Sequence, residues 1–353
     1  MTDKNGNRDH PPMAALHSPA DSAQPPRFRI LTLASLIVVS VLLILAVKPD
    51  QLDVYKTFDE LQFADAELAR CVKAAAEANN WPDVGHAVKL RCNSPSGGGI
   101  KSLDGIEHLL ELTEINFAFN NISDVGPLAD LARLETVDLS HNSLSELPVF
   151  RSASTLRRIE LNYNQIESLN WLTAEHFPVL EVFSVAHNHI VDISAIPSLD
   201  GIRELVLRDN RIKSLTPIVE LKDLVMLDAG NNHLEDLADI GTLENLRRLF
   251  LDRNAISQLD GIEPLRHLEE LDLAYNPLQS TAPISNLERL QRLNLNHSGI
   301  TGLRGVLALG DLELLRIAGN PELDCGDIAI AIREYGATAI RSDKTCQATD
   351  SQT

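Results

Sequence analysis

The stretch LRRIELNYNQIESL, residues 156–169, decides the fold. Its apolar residues are Leu156, Ile159, Leu161, Ile166 and Leu169, with Asn164 between Leu161 and Ile166. Ile159 and Leu161 flank one polar residue. That alternation sends both to the same face of a short strand and Glu160 to the other. The same phrase recurs along the chain. Aligned on its asparagine, Asn120, Asn142, Asn164, Asn188, Asn210, Asn232, Asn254, Asn276, Ser298 and Asn320 follow one another at 22 residues, with one gap of 24. Around each runs the pattern L-x-x-L-x-L-x-x-N-x-I-x-x-L. A fixed period this short marks a solenoid: no unit buries its apolar face alone, and stacking makes the core.

The residues five and three before each asparagine are apolar in every repeat, from Ile115 and Phe117 through Leu205 and Leu207 to Leu315 and Ile317. This predicts one short strand per repeat, with both residues facing the core. The asparagine is a polar residue turned inward at a bend. Its amide suits backbone groups that the bend leaves unpaired, so stacked copies form a ladder. Ser298 keeps one hydrogen-bonding group at that position. The repeat of 24 residues holds WLTAEHFPVL, 171–180, whose extra residues are expected on the convex side.

At these residues the chain resembles leucine-rich repeat proteins of the 22-residue class. NNISDVGPLAD, 120–130, is similar to the internalin-like repeats of bacteria and to intracellular phosphatase-regulator repeats. The resemblance covers roughly residues 60–346. It implies an α/β solenoid: a leucine-rich repeat horseshoe with a parallel concave sheet, about ten repeats and helical caps at both ends. It implies little about function, because this fold hosts many partners. FADAELARCV, 63–72, and the following IKSLDGIEHLLELTEI, 100–115, resemble the helical cap that leads into internalin-type repeats. SPSGGG, 94–99, departs from that pattern. It reads as an insertion at the first coil and not as a phosphate loop, since the Lys-Ser/Thr of such loops is missing.

The expected organisation is a tail at 1–29, an apolar helix at 30–47, a linker at 48–60, an N-terminal cap at 61–108, repeats at 109–324, a C-terminal cap at 325–346 and a short tail at 347–353. The first 26 residues are rich in Pro, Ser and Asp, too polar for a core. Ile30–Val47 has only Thr32, Ser35 and Ser40 as polar interruptions. As a helix it would be about 27 Å long, enough for a bilayer core. Arg27 and Arg29 precede it, which favours a cytoplasmic N-terminus. A cleaved signal peptide fits less well, because the run is long and no A-x-A site follows. A buried soluble helix is the third reading. The topology expected is single-pass in an inner membrane, with the repeats periplasmic or extracellular. The net charge of -19 is uneven: residues 1–47 carry four basic and three acidic groups (+1), so the rest carries -20. A chain this acidic avoids nucleic acid and anionic membrane surfaces.

All four cysteines follow the apolar run. Cys71 and Cys92 fall in the first cap, Cys325 and Cys346 in the second. Two per cap suggest the pairs Cys71–Cys92 and Cys325–Cys346. The other two of the three possible pairings would tie ends separated by most of the solenoid. Each local loop would contribute on the order of 3 kcal/mol in the chain-entropy model. Free buried thiols and a metal site are the alternatives, but metal sites usually show C-x₂₋₄-C spacing. Disulfides need an oxidising compartment, which agrees with the topology.

Residues six, four, two and one before each ladder position face the concave surface. There the chain sets nine acidic residues against Arg158, Arg208, Arg248, Arg253, Arg292 and Arg316, with Phe119, Tyr163, Phe250 and Tyr275 as aromatics. Aromatics interleaved with arginine resemble the anchors of protein interfaces. Tyr163, Arg208, Phe250, Arg253 and Tyr275 form the candidate ligand patch, set against the plain reading of scattered surface residues. His141, His187 and His297 precede ladder positions and His189 follows one. No Cys or Asp cluster completes a metal set around them. No EF-hand spacing or nucleophile motif is present, so neither enzyme, metal nor cofactor is expected. N-I-S, 121–123, and N-H-S, 296–298, match the glycosylation rule, as an Asn-rich repeat does by chance. The expected function is an anchored extracytoplasmic scaffold that holds a protein or peptide on its concave face. The alternative is a cell-envelope structural or adhesive protein that binds peptidoglycan or glycan.

Overall fold

The structure is a computed structural model that describes residues 56–94, 99–147, 153–173, 175–196, 199, 201–237, 239–344 and 346. The predicted tail at 1–29, the apolar run at 30–47 and the final 347–353 lie outside the described residues, as does most of the Gly-rich insertion. Among the described residues no helix is long and apolar enough to cross a membrane.

Twelve strands form one parallel sheet in sequential order. They are β1 (Lys89–Arg91), β2 (Glu114–Asn116), β3 (Thr136–Asp138), β4 (Arg158–Glu160), β5 (Val182–Ser184), β6 (Glu204–Val206), β7 (Met226–Asp228), β8 (Arg248–Phe250), β9 (Glu270–Asp272), β10 (Arg292–Asn294), β11 (Leu314–Arg316) and β12 (Ile340–Arg341). The ten repeats supply β2 to β11, and each cap adds one strand. The middle residue of every repeat strand is buried. In register these residues make a continuous row, such as Ile159, Phe183, Leu205 and Leu227 on β4 to β7. The solenoid read from the period, in the horseshoe form that the resemblance implies, is therefore the architecture found.

The convex side carries short 3₁₀ turns at Gly126–Leu128, Thr216–Ile218 and Ala282–Asn286, each with a proline in its first turn. Proline fits there because the first turn has no intrahelical use for its missing N–H. One apolar cluster runs from Leu68 in the first cap to Ile340 in the last strand. In the 24-residue repeat the added residues fall in the convex segment. Phe177 is buried there, and the Trp171 ring meets it and Phe183 edge-on, with centroids at 5.9 and 6.1 Å.

The asparagine column is a ladder in the literal sense. Each Oδ1 accepts an N–H from the preceding coil: Asn210 from Ile190 at 3.0 Å, Asn232 from Ile212 at 3.0 Å. Each Nδ2 donates to carbonyls on both coils; Asn210 reaches Leu207 and Val185, each at 3.0 Å. One side chain thus satisfies groups in two successive coils, which explains why the column tolerates few residue types. Ser298 is too short for this. Its hydroxyl donates to the Leu295 carbonyl at 2.6 Å, and the Leu278 N–H turns to the Ser298 main-chain carbonyl at 2.9 Å. The backbone takes over what the side chain cannot reach.

Both solenoid ends are closed by a helix and a disulfide. α1 (Ala66–Asn79) buries Leu68, Val72 and Ala76 against the first coil, and Cys71 bonds Cys92. The Asp65 carboxylate caps α1 by accepting from Glu67 N–H at 2.8 Å and Leu68 N–H at 3.2 Å. Its other oxygen accepts from Lys101 N–H at 2.8 Å, so one residue stitches helix to solenoid. At the far end α2 (Cys325–Tyr335) is capped by Asp324, and Cys325 bonds Cys346. Asp327 in its first turn accepts from Leu303 N–H at 2.7 Å on the last coil. The Tyr335 hydroxyl lies 2.6 Å from the Val306 carbonyl and 3.0 Å from that of Leu309. The pairs Cys71–Cys92 and Cys325–Cys346 are those read from the caps.

Candidate functional site

The concave surface is built from four columns, each repeating once per coil. The column immediately before the ladder has left-handed backbone throughout. Phe119, His141, Tyr163, His187, Asp209, Asn231, Arg253, Tyr275 and His297 have φ between 50° and 62°, and Gly319 ends the column at 73°. For non-glycine residues that conformation costs on the order of 1 kcal/mol each. It persists because every N–H in the column donates to the next coil, as Tyr163 does to Ala186 at 2.8 Å and His187 to Arg208 at 2.9 Å. The bend forces the backbone, and the backbone aligns the side chains.

Planar side chains at this spacing stack. Phe119, His141, Tyr163 and His187 form a run of four rings with centroids 4.1, 4.0 and 3.8 Å apart and planes within 12°. His187 Nε2 then lies 3.2 Å from Asp209, and Asn231 hydrogen-bonds Asp209 in turn. Further along, the Arg253 guanidinium sits 4.3 Å over the Tyr275 ring, which stacks on His297 at 4.6 Å. Phe119, Tyr163 and Tyr275 stay more than two-fifths exposed. Ring faces are spent on one another, and the exposure that remains is at the ring edges. The signal in sequence was two aromatics and two histidines at one repeat position in four successive coils.

The column four before the ladder is largely structural. Asn116, Asp138, Asp228, Asp272 and Asn294 each accept the N–H two residues on, closing the turn that ends the strand. Neighbours on this column also pair: Asn116 donates to Asp138 at 2.7 Å and Asn294 to Asp272 at 2.9 Å. Where the column offers Ser184 or Arg316, an asparagine two before the previous ladder position reaches across. Asn162 accepts Ala186 N–H, and Asn296 accepts Ala318 N–H, both at 2.8 Å. Several acids counted as free concave charge in the sequence are therefore turn caps.

Arg208 is held inside the surface. Its Nε donates to Asp228 at 2.9 Å, and its Nη atoms reach Asp252 two coils away. The guanidinium crosses above Gly230, where any Cβ would collide with it. Burial alone would lower the Arg208 pKa, but its hydrogen bonds to Asp252 and Asp228 reverse this and hold it well above its usual value. Burial raises the Asp272 carboxyl, and bonds from Ala274 and Asn294 only partly offset that. At the N-terminal end, Glu114 on β2 accepts from Lys89 and Arg91 on β1, and these bonds hold its carboxyl below the usual range.

Of the five patch residues, the structure joins Arg253 to Tyr275 directly. Phe250 is half-buried on the concave face, in register between Asp228 and Asp272. Tyr163 belongs to the other stack, four coils away from Arg253. Arg208 lies between the two groups, tied to its carboxylates. Among the described residues no group of His, Cys, Asp and Glu could hold a metal ion.

Models of the leucine-rich repeat match residues 99–152, as two copies, and residues 133–190 and 265–281. No curated protein matches the sequence. Among solved structures the chain is similar to an internalin, InlF, of Listeria monocytogenes: TM-score 0.64 at 20% identity, over 82% of this chain and 98% of that one. It is also similar to the functional domain of InlJ from the same organism, with a TM-score of 0.60 at 23% identity, over 76% of this chain and 62% of that one. That domain includes a cysteine ladder. An internalin C2 of Listeria monocytogenes aligns with a TM-score of 0.50 at 24% identity, over 66% of this chain and 94% of that one. At these identities the likeness is one of fold: an internalin-like leucine-rich repeat solenoid.

Proposed function

We propose that this chain is a binding scaffold that holds a protein or peptide ligand on its concave face, displayed outside the cytoplasm by an apolar anchor at 30–47. The observation that carries the reading is the groove edge: two aromatic stacks with exposed ring edges, held in one line by a strained but uniform backbone. Aromatic and arginine side chains fixed in place lose little freedom on binding, which is what interface anchors require. The contact residues we assign are Tyr163, Phe250, Arg253 and Tyr275. Arg208 acts beneath them by fixing Asp252. No nucleic acid is assigned as a partner, given the acidity of the chain.

A photo-crosslinking residue placed at position 163 or 275 in native membranes tests this. Discrete protein adducts are expected from both, and none from the convex position 244. Adducts with wall material alone would replace the scaffold by an envelope-structural role. The anchor is tested separately. A reporter active only outside the cytoplasm should work when fused at the C-terminus, and a processed N-terminus beyond residue 40 would remove the anchor.

A further inference from the structure

The C-terminal end of the concave sheet carries arginines that the rest of the surface does not explain. Among the described residues, the other concave cations each have a carboxylate or, for Arg253, an aromatic ring. Lys89 and Arg91 share Glu114, Arg158 has Glu160 at 3.2 Å, Arg208 has two aspartates, and Arg248 has Glu204 at 3.6 Å. Arg253 is on the Tyr275 ring. Arg316 on β11 and Arg341 on β12 have no carboxylate among the described residues, and both are exposed. They stand directly side by side in the parallel register, about 4.8 Å apart at the backbone. Like charges placed opposite one another on a sheet repel. This occurs in a chain of net charge -19, where acids are plentiful.

The nearby acids are already engaged. Asp272 accepts from Ala274 N–H and from Asn294, Glu270 faces Arg292 at 3.5 Å, and Asp343 accepts from Gly319 N–H at 3.0 Å. Arg341 gives one Nη to the Thr338 carbonyl at 2.7 Å, which fixes its stem and leaves the other donors of the fork. Beside Arg316 lies a shallow hollow of about 80 Å³ lined by Arg292, Asn294 and Leu314, with Glu270 and Asp272 on its far rim.

We infer that Arg316 and Arg341 form a carboxylate-binding site, which receives an aspartate or glutamate side chain of the protein ligand at the C-terminal end of the groove. This rests on the scaffold reading for its partner, though not for its chemistry. A guanidinium fork matches a planar carboxylate with two parallel hydrogen bonds. Leu314 offers an apolar wall for the methylenes behind that carboxylate. The acids on the far rim select a singly charged, planar group over a phosphate, whose second charge they would repel. Occupation also relieves the repulsion between the two arginines.

The test uses the full chain in detergent micelles, isotope-labelled at arginine, with the Nε–H resonances followed by NMR at low ionic strength. The probes are the blocked tripeptide acetyl-Gly-Glu-Gly-amide, its Gln counterpart and inorganic phosphate. The Glu peptide should shift the Arg316 and Arg341 resonances saturably, while the Gln peptide leaves them still. Arg208, locked on its aspartates, serves as the resonance that stays fixed. Arg316→Gln should weaken the response at Arg341 at least about tenfold, the loss expected for a charge-assisted pair. Arg316→Lys should restore part of it, since charge returns without the fork. Equal shifts with Glu and Gln peptides, or larger shifts with phosphate, would overturn the assignment. If the Glu peptide binds here but concave crosslinking yields no protein, the scaffold reading falls and this site stands. Crosslinking that succeeds without peptide binding leaves the scaffold and removes the site.

Discussion

At the scale of single residues, Gly230 shows how much the concave face depends on an absent side chain. The Arg208 guanidinium passes above it to reach Asp252, and a Cβ there would meet both partners. Gly230→Ala should displace that ion pair and cost about 1–3 kcal/mol, the range for leaving a largely buried charged group without its hydrogen bonds. A melting temperature equal to the parent's would show that the strap across the groove contributes nothing. Leu205, fully buried on β6, sets the scale for the core: Leu205→Ala should cost about 2–5 kcal/mol. Phe250→Ala, on the opposite face of β8, should stay within about 1 kcal/mol in chemical denaturation. The carboxyl groups give predictions of opposite sign with pH. Lys89 and Arg91 depress Glu114, so its contribution is complete above the ordinary value of 4.5 and is lost as pH falls through the lower folded value. Burial raises Asp272, so its ionised form is penalised in the folded state, and that penalty is relieved as pH falls toward its ordinary 3.8. Carbon-detected NMR titration should find Glu114 titrating below, and Asp272 above, the same groups in the urea-unfolded chain. Core residues such as Leu205 were legible in the sequence, because alternation with a two-residue period leaves no other face for them. The turn caps Asp138, Asp228 and Asp272 were not. An aspartate that accepts a backbone N–H looks in sequence like one that waits for a ligand.

At the scale of elements, the aromatic column is a stack that no single coil encodes. Each ring contributes only when the coils on both sides present a planar group, so the stack is a property of register. Tyr163→Ala removes two interfaces, with His141 and His187. It should cost about 1–3 kcal/mol at roughly 0.5–1.5 per ring pair. Because position 163 has a φ of 57°, Tyr163→Gly should be the more stable of the two variants, which reverses the usual order for glycine and alanine. Calorimetry on the two proteins checks this, and an alanine variant that melts above the glycine one would contradict the backbone account. The caps follow a different logic. α1 and α2 were readable as helical ends with paired cysteines, but β12 was hidden in ATAIRS, 337–342, where Gly336 ends α2 and only two residues pair with β11. The residues that fasten helix to coil, Asp65 and Asp327, carry no pattern at all. Their roles exist only because the fold brings Lys101 and Leu303 within reach.

At the scale of the whole molecule, stability is a sum over neighbouring coils, so the ends are where it is lost first. Reducing Cys71–Cys92 and Cys325–Cys346 should raise hydrogen exchange in α1, β1, α2 and β12 before the central strands, and uniform exchange across all twelve would contradict this additivity. The asparagine ladder has a further consequence, for heredity. Every regular Asn addresses the coil before it through the same two groups, one N–H and one carbonyl, whatever that coil's number in the series. Excising residues 189–210 would join Asn188 to Arg211 and bring Asn232 against a coil ending in the Asn188 turn, whose acceptors and donors are those it already uses. Unequal recombination between repeats can thus lengthen or shorten the groove in whole-coil steps without designing a new junction, leaving both disulfide-closed ends intact. Ser298 is the exception, because its neighbour Leu278 leans on a main-chain carbonyl. A reading frame that gains or loses coils before position 276 should yield folded protein, while the same event across 276–298 should not. The C-terminal end of this molecule is in that sense its fixed address, and the N-terminal coils are the part a lineage can edit.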